Sequence, residues 1–144
     1  MRTKNIETVR QMFEAFGRGD IEGLLARFDD DVSWSYPEGT ILGGRHQGRA
    51  GILRFISLIG RIYPAGLQVA EVTLFADRDR VFAEFPWVAT SVRGDRVRER
   101  ALIVFELRGG RVVAIREYNQ GGERSAISDL TLDAAQADAQ APGP

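Results

Sequence analysis

The sequence contains no cysteine and a single histidine, His46, and these two scarcities exclude several kinds of chemistry. Without cysteine the chain can form no disulfide, no thiolate nucleophile and no cysteine-ligated zinc or iron–sulfur site. One histidine cannot build a histidine-cluster metal site, and a Ser-His-Asp triad would have to use His46 itself. We therefore expect a protein that uses no metal ion and no other cofactor.

The chain also lacks long apolar runs and a net charge of either sign. No segment approaches the roughly 18 apolar residues of a membrane-spanning helix. Its 19 basic and 20 acidic residues give a net charge of −1, which provides no general attraction to nucleic acid or to anionic membranes. We expect a cytoplasmic protein whose partners include neither nucleic acid nor a membrane.

Length and composition are those of one globular domain. Of the 144 residues, 44% are hydrophobic and 27% are charged, which argues against a disordered chain. A domain of this size buries roughly 70% of the surface of its unfolded chain, enough for a core and a small pocket. We predict one domain over residues 1–125 and a loose tail over residues 126–144, which are rich in alanine and aspartate.

The first half of the sequence has helical periodicity. Apolar residues from Ile6 to Phe16 recur at helical spacing and predict a first helix, and Asp20 is placed to cap a short second one. The acidic run 29–31 predicts a solvated turn before a short strand at 32–36. A glycine-rich loop that contains His46 follows, and a third helix is predicted from about 49 to 62.

From residue 67 onward the apolar period changes to two. It predicts four strands, at 67–76, 80–92, 97–107 and 111–119, joined by short polar turns as in an antiparallel meander. We therefore predict an α+β domain in which three N-terminal helices pack on one face of a strongly curved, mainly antiparallel sheet.

Both faces of the central strands are apolar, and the helices can cover only one of them. A second copy of the chain is the simplest cover for the other face. We therefore expect a homodimer that buries the following side chains of the outer face: Phe85, Trp87, Leu102, Val104 and Tyr118.

Five motifs resemble the SnoaL-like branch of the nuclear transport factor 2-like (NTF2-like) superfamily, over about residues 5–120. They are Phe13-Glu14-Ala15-Phe16, Gly19-Asp20-Ile21-Glu22-Gly23-Leu24-Leu25, Asp31-Val32-Ser33-Trp34, Gly44-Arg45-His46-Gln47-Gly48-Arg49 and Gly110-Arg111-Val112-Val113-Ala114-Ile115-Arg116-Glu117-Tyr118. The resemblance implies a cone-shaped fold around a pocket for a small hydrophobic organic substrate. The superfamily includes ketosteroid isomerases, epoxide hydrolases, polyketide cyclases, dehydratases and binding proteins without chemistry, so the resemblance does not name a reaction.

The resemblance also implies which residues face the pocket. Most of them are apolar or aromatic, as expected around a carbon skeleton. From the sheet they are Trp34, Tyr36, Glu84, Pro86, Val88, Thr90, Glu99, Ala101, Ile103, Phe105, Ile115, Glu117 and Asn119. From the helices they are Met12, Phe16, Phe55 and Ile59.

Three of these residues are candidates for catalysis. Glu117 would lie in mid-pocket, where loss of water raises a carboxyl pKa towards neutrality and makes the group a useful acid or base. Alternatively, an arginine pairs with Glu117 and the residue is a structural brace. Glu84 would be a second pocket carboxylate, or a solvated residue near the sheet edge. Tyr36 would offer a phenol donor, or would simply pack.

Three functions remain open on these residues. The leading one is a cofactor-independent cyclase, isomerase or dehydratase of polyketide or natural-product metabolism, in which a pocket carboxylate moves a proton. The second is opening of an epoxide by water that a carboxylate activates. The third is a non-catalytic ligand-binding or scaffold protein.

Overall fold

Helices and strands are mixed along the chain in the computed structural model, which describes residues 2–131. The helices are α1 (Arg2–Arg18), α2 (Ile21–Leu25), α3 (Gly48–Ile62) and α4 (Glu123–Ile127). The strands are β1 (Phe28–Tyr36), β2 (Gly44–Gln47), β3 (Gln68–Val69), β4 (Thr73–Asp77), β5 (Arg80–Thr90), β6 (Arg96–Arg108) and β7 (Arg111–Gly121). None of the helices in this range is long and apolar enough to cross a membrane.

The predicted helices are present with nearly the predicted bounds. The Asp20 side chain accepts a hydrogen bond of 2.9 Å from the backbone N–H of Gly23, so it caps α2 as expected. β1, however, begins at Phe28, so the acidic run lies inside a strand and not in a turn. Its residues Asp30 and Asp31 are exposed, which agrees with the prediction that the run is solvated.

The strands form one open sheet in the order β2-β1-β7-β6-β5-β3, with β4 also paired to β5. The pairs β4–β5, β5–β6 and β6–β7 are antiparallel, which confirms the predicted meander, whereas β1 runs parallel to β7. The predicted strand 67–76 is divided into β3 and β4, because the backbone turns at Glu71, whose φ is 49°. β2 lies in the segment predicted as a glycine-rich loop.

The strand register shows which residues share a face. Phe85 lies opposite Ala101, and Ile103 lies opposite Glu117, so all four belong to the face that the helices cover. Trp87 lies on this face too, since it is two residues from Phe85. Phe85 and Trp87 are only 5% and 3% exposed. Our assignment of these two side chains to the outer face and a dimer contact is therefore wrong.

The same register places four predicted pocket residues on the outer face instead. Glu84 lies opposite Leu102 on β6, and the residues that follow it at intervals of two point the same way. These residues are Glu84, Pro86, Val88 and Thr90. Alternation could not assign the face, because β5 carries large apolar side chains on both of its sides.

The chain after β7 packs back onto the domain. α4 buries Ile127 completely, and Arg93 bonds to the carbonyl oxygen of Ala126 at 2.8 Å and to the carboxylate of Asp129 at 2.6 and 2.9 Å. Residues 126–131, which we predicted to belong to a loose tail, therefore have ordered contacts. The rest of that predicted tail, 132–144, lies outside the described residues.

Gly121, the last residue of β7, has no room for a side chain. A methyl group there would overlap the backbone carbonyl oxygen of Arg98 and the Glu99 carboxylate. We expect Gly121→Ala to lower the free energy of unfolding by about 2–3 kcal/mol, as overpacking does. Gly122→Ala is the matched control, because no atom lies within 4 Å of its added methyl group. Equal denaturation midpoints for the two variants would contradict this expectation.

Candidate active site

One pocket lies between the helices and the covered face of the sheet. It holds about 740 Å³ of atom-free space, part of which is open to solvent. Its walls are apolar side chains from α1, α2, α3, the strands β3, β5 and β6, and the residue that precedes β3, as is usual for sites that bind small organic molecules. These side chains are Met12, Phe13, Phe16, Leu24, Ile56, Ile59, Leu67, Val69, Phe85, Trp87, Ile103 and Phe105.

The polar groups of the pocket come from five further lining residues: Trp34, Tyr36, Tyr63, Glu117 and Glu123. Two of them are carboxylates, and no salt bridge joins either one to a basic side chain within residues 2–131. The same range contains no group of three or more His, Asp or Glu placed to hold a metal ion. The pocket is therefore an apolar chamber with a small acidic region in its lining.

Glu117 is the carboxylate that faces the pocket from β7. The indole N–H of Trp34 donates a hydrogen bond of 3.2 Å to its Oε1. Burial among apolar side chains raises the pKa of Glu117 to about 7, and the charges of Glu123 and Glu99 act in the same direction. The Trp34 hydrogen bond and the neighbouring Asn119 amide oppose this rise without cancelling it. Near neutral pH the group can therefore both hold and release a proton.

Glu123, the first residue of α4, is the second carboxylate of the pocket. Its exposed fraction is 4%, and each of its oxygens accepts a hydrogen bond of 2.6 Å, Oε1 from the hydroxyl of Tyr36 and Oε2 from that of Tyr63. Burial raises the pKa of Glu123, and the two tyrosine hydroxyls partly offset this. The pKa values of both tyrosines are raised as well, chiefly by burial. These three side chains therefore form one buried unit, here called the tyrosine–Glu123 clamp.

Glu99 and Asn119 lie on the same face of the sheet, next to this acidic region. Glu99 is 8% exposed, and burial raises its pKa although the backbone N–H of Glu123 approaches the carboxylate. The Asn119 amide lies close enough to the Glu117 carboxyl to lower its pKa, but the contact falls short of hydrogen-bond geometry. Both side chains thus keep polar atoms without a partner among the described residues.

Comparison with known proteins agrees with this architecture. The profile of the SnoaL-like domain family matches residues 9–115, which is most of the chain. The protein belongs to the SnoaL-like family. A search of curated proteins returned no significant match.

Solved structures support the fold of this SnoaL-like protein. An NTF2-like protein of unknown function from Burkholderia pseudomallei is 26% identical, with a TM-score of 0.80 over 88% of this chain and 98% of the other. A protein from a soil-derived mobile gene cassette is 29% identical, with a TM-score of 0.79 over 87% and 94% of the two chains. TerC, co-crystallised with polyporic acid, is 28% identical, with a TM-score of 0.74 over 81% and 92%.

The structure brings about half of the predicted site residues together. Those that line the pocket are Met12, Phe16, Trp34, Tyr36, Ile59, Ile103, Phe105 and Glu117. Ala101, Ile115 and Phe55 are buried without lining it, and Phe55 packs behind the rings of Trp34 and Tyr36 with centroid distances of 5.2 Å. Glu84 is exposed on the outer face, so its placement as a second pocket carboxylate is wrong.

His46 is also placed differently from the prediction. Its ring stacks on Phe55 with a centroid distance of 4.1 Å, and Nε2 lies 2.8 Å from the carbonyl oxygen of Leu42. The side chain is half-buried on β2 and does not line the pocket. The ring therefore supports the wall behind the aromatic pocket residues, and it is not in an exposed loop.

Sequence reasoning missed both Glu123 and Tyr63. Tyr63 follows Ile59 by one helical turn and precedes Pro64, so the periodicity of α3 could have extended its inward face to this residue. Glu123 has no such signal, because its role depends on α4 folding back against β6 and the pocket. The three polar residues Glu123-Arg124-Ser125 after Gly121-Gly122 are typical of an ordinary solvated turn.

Proposed function

We propose that this protein is a cofactor-independent enzyme that moves a proton on a small apolar organic molecule, with Glu117 as the acid–base group. The observation that carries the proposal is a carboxyl buried in the lining of an apolar pocket, since this burial raises its pKa to about 7, which suits proton transfer near neutral pH. No arginine or lysine among the described residues forms a salt bridge with it, which argues against the alternative of a structural brace.

The geometry suggests how the reaction proceeds. Oε1 of Glu117 already accepts a hydrogen bond from the indole N–H of Trp34, so we assign proton transfer to Oε2. The ionised carboxylate takes a proton from a carbon next to a carbonyl group, which leaves a neutral Glu117 beside an enolate. Glu117 then returns the proton to a different atom of the enolate, or protonates the alkoxide that forms when the enolate carbon attacks a second carbonyl group, or protonates a β-hydroxyl group that the enolate expels as water. These three outcomes are isomerisation, cyclisation and dehydration. The apolar walls hold the carbon skeleton in the conformation that decides among them.

The clamp changes the role that we assign to Tyr36. Its hydroxyl already donates to Glu123, so Tyr36 first of all holds that carboxylate in place. The like charge of Glu123 helps to keep the pKa of Glu117 high. We therefore assign to Glu123 the role that the sequence analysis gave to Glu84, namely a second pocket carboxylate whose charge raises the pKa of Glu117.

The chain offers a convenient probe of its own pocket. Its only two tryptophans, Trp34 and Trp87, both line this cavity, so the intrinsic fluorescence of the protein reports on pocket binding. Binding of a small organic ligand is consistent with the TerC structure, which was obtained with polyporic acid. A panel of hydrophobic β-dicarbonyl compounds, phenols and epoxides can be ranked by quenching of this fluorescence.

Proton transfer itself can be tested before the natural substrate is known. Each bound carbonyl compound is incubated with the protein in D₂O, and exchange of the proton next to the carbonyl is followed by NMR. The proposal predicts exchange above the buffer rate that disappears in Glu117→Gln. Epoxide opening without carbonyl exchange would favour the second hypothesis, and binding without either reaction would favour a ligand-binding protein.

We further propose that the protein is a homodimer formed through the outer sheet face. This face carries the stacked rings of Phe75 and Phe82, 5.0 Å apart, and the 55% exposed Tyr118 beside Leu102. Exposed apolar patches on one face are typical of subunit contacts.

Sedimentation at micromolar concentration should give a dimer, and Leu102→Asp should give a monomer. Leu53→Asp, at an exposed position on α3, should leave the dimer intact; a monomeric wild type would contradict the proposal.

A further inference from the structure

Three polar atoms beside the pocket are buried and have no hydrogen-bond partner in the described part of the chain. They are Oε2 of Glu99 and both Oδ1 and Nδ2 of Asn119. An unpaired buried polar atom costs about 1–3 kcal/mol, so three within one small region require an explanation.

The strand register explains why these atoms lie together. Glu99 pairs with Gly121, and Ala101 pairs with Asn119 in the next position on the same face. Glu99 and Asn119 are therefore diagonal neighbours, at positions roughly 7 Å apart in an antiparallel pair. The Glu99 carboxylate lies over Gly121, which has no side chain, and Ala101 carries only a methyl group, so neither of these two residues separates the carboxylate from Asn119 with a bulky side chain.

This arrangement selects the kind of group that fits. Oε2 of Glu99 and Oδ1 of Asn119 accept hydrogen bonds, while Nδ2 of Asn119 donates them. An oxygen that carries a hydrogen reaches about 2.8 Å in each direction, so it can donate to Oε2 of Glu99 and accept from Nδ2 of Asn119. A water molecule has a second hydrogen that it can donate to Oδ1 of Asn119. An apolar group could not satisfy any of the three atoms, and a second carboxylate would add an acceptor where a donor is needed.

We propose that Glu99, Asn119 and the intervening Ala101 and Gly121 form a hydroxyl-binding subsite next to the pocket. Its occupant is an O–H group, which is either an ordered water molecule or a hydroxyl substituent of the bound ligand. Asn119 lies two residues from Glu117 on the same face, so the subsite positions this O–H group beside the carboxyl assigned to proton transfer. The pocket then distinguishes hydroxylated ligands from purely apolar ones.

A high-resolution crystal structure of the full chain tests the subsite directly. The proposal predicts an oxygen within about 3 Å of both Glu99 Oε2 and the Asn119 amide. In a complex with 2-naphthol, a water source predicts that this oxygen persists, whereas a ligand source predicts that the naphthol hydroxyl replaces it. A direct hydrogen bond from the Asn119 amide to Glu99 or to Glu117, or no oxygen between Glu99 and Asn119 in either structure, would overturn the proposal.

Binding measurements provide a second test. With a ligand hydroxyl in the subsite, 2-naphthol should bind about tenfold more tightly than 2-methylnaphthalene, and Asn119→Leu should remove the difference. Gln120→Leu is the matched control, because the adjacent residue is exposed on the other face of β7. With water in the subsite, Asn119→Leu should leave the ratio unchanged and remove the crystallographic oxygen. Neither test uses turnover, so both stand apart from the proposed reaction.

Discussion

Replacing Glu117 by glutamine is expected to lower turnover by about 10²–10⁴-fold while leaving ligand binding within a few-fold of wild type. The amide keeps the size of the side chain and an oxygen that can accept the Trp34 indole hydrogen bond, which is 3.2 Å long in the wild type. It cannot exchange a proton with the substrate. Deuterium exchange measures the loss of turnover, and tryptophan quenching measures the retained affinity.

The pH dependence of activity provides an independent check on the same residue. If Glu117 acts as the base, kcat/KM should rise as the pH passes through about 7, because the carboxyl must lose its proton first. Glu84→Gln is the matched control, because Glu84 is an exposed carboxylate on the outer face. Its activity and pH profile should equal those of the wild type. A fully active Glu117→Gln variant would end the catalytic assignment.

The same substitution should also stabilise the protein above neutral pH. The folded pKa of Glu117, about 7, lies above its ordinary value of 4.5, so the folded state binds the extra proton between these two pH values. Stability is therefore lost as the pH rises from about 4.5 to about 7, by about 3 kcal/mol in total. Glutamine does not ionise, so Glu117→Gln should melt several degrees higher than the wild type at pH 8. The two proteins should melt together near pH 4.

If Glu117 is a structural brace, the opposite change is expected in the melting temperature of Glu117→Gln. If Glu117 were needed as a charged partner of an arginine, its replacement would lower the melting temperature at pH 8 and have less effect in acid. Thermal melts of both proteins at pH 4 and pH 8 therefore distinguish the two roles without any knowledge of the substrate. A less stable Glu117→Gln variant at pH 8 would contradict our placement of this carboxyl.

The sequence was informative where one local pattern has one structural meaning. Asp20 could be recognised as a helix cap, because a short acidic side chain before an apolar helical pattern satisfies a free backbone N–H. The meander after residue 67 followed from an apolar period of two and from short polar turns. Glu117 could be placed in the pocket through the resemblance to the SnoaL-like family, which implies that it faces the pocket from the last long strand, where it alternates with Ile115.

The errors have two physical causes. On β5, Phe85 and Trp87 alternate with Pro86 and Val88, so neither face is polar and alternation cannot say which one the helices cover. The clamp has a different cause. It joins Tyr36, Tyr63 and Glu123, which are separated by as many as 87 residues, and no local pattern reports a hydrogen bond between such distant positions.

That clamp leads to the second large expected effect. Tyr36→Phe and Tyr63→Phe should each lower the free energy of unfolding by about 1.5–3 kcal/mol at pH 8, because each removes a hydroxyl that donates to a buried carboxylate. The ring and its packing are retained in both variants. Tyr118→Phe is the matched control, since the third tyrosine of the chain lies on the outer face and its hydroxyl does not donate to Glu123, so its effect should stay within about 0.5 kcal/mol.

The dependence of this loss on pH identifies Glu123 as its cause. Burial already raises the pKa of Glu123, and removal of a hydroxyl that favours its charged form raises that pKa further. The folded variant then binds a proton over a wider pH range than the wild type, so its deficit in stability grows as the pH rises. Below about pH 4, where the carboxyl is neutral in both folded and unfolded chains, the deficit should be much smaller. Denaturation curves at pH 4 and pH 8 measure both deficits, and equal values would show that the tyrosine hydroxyls do not act through the Glu123 charge.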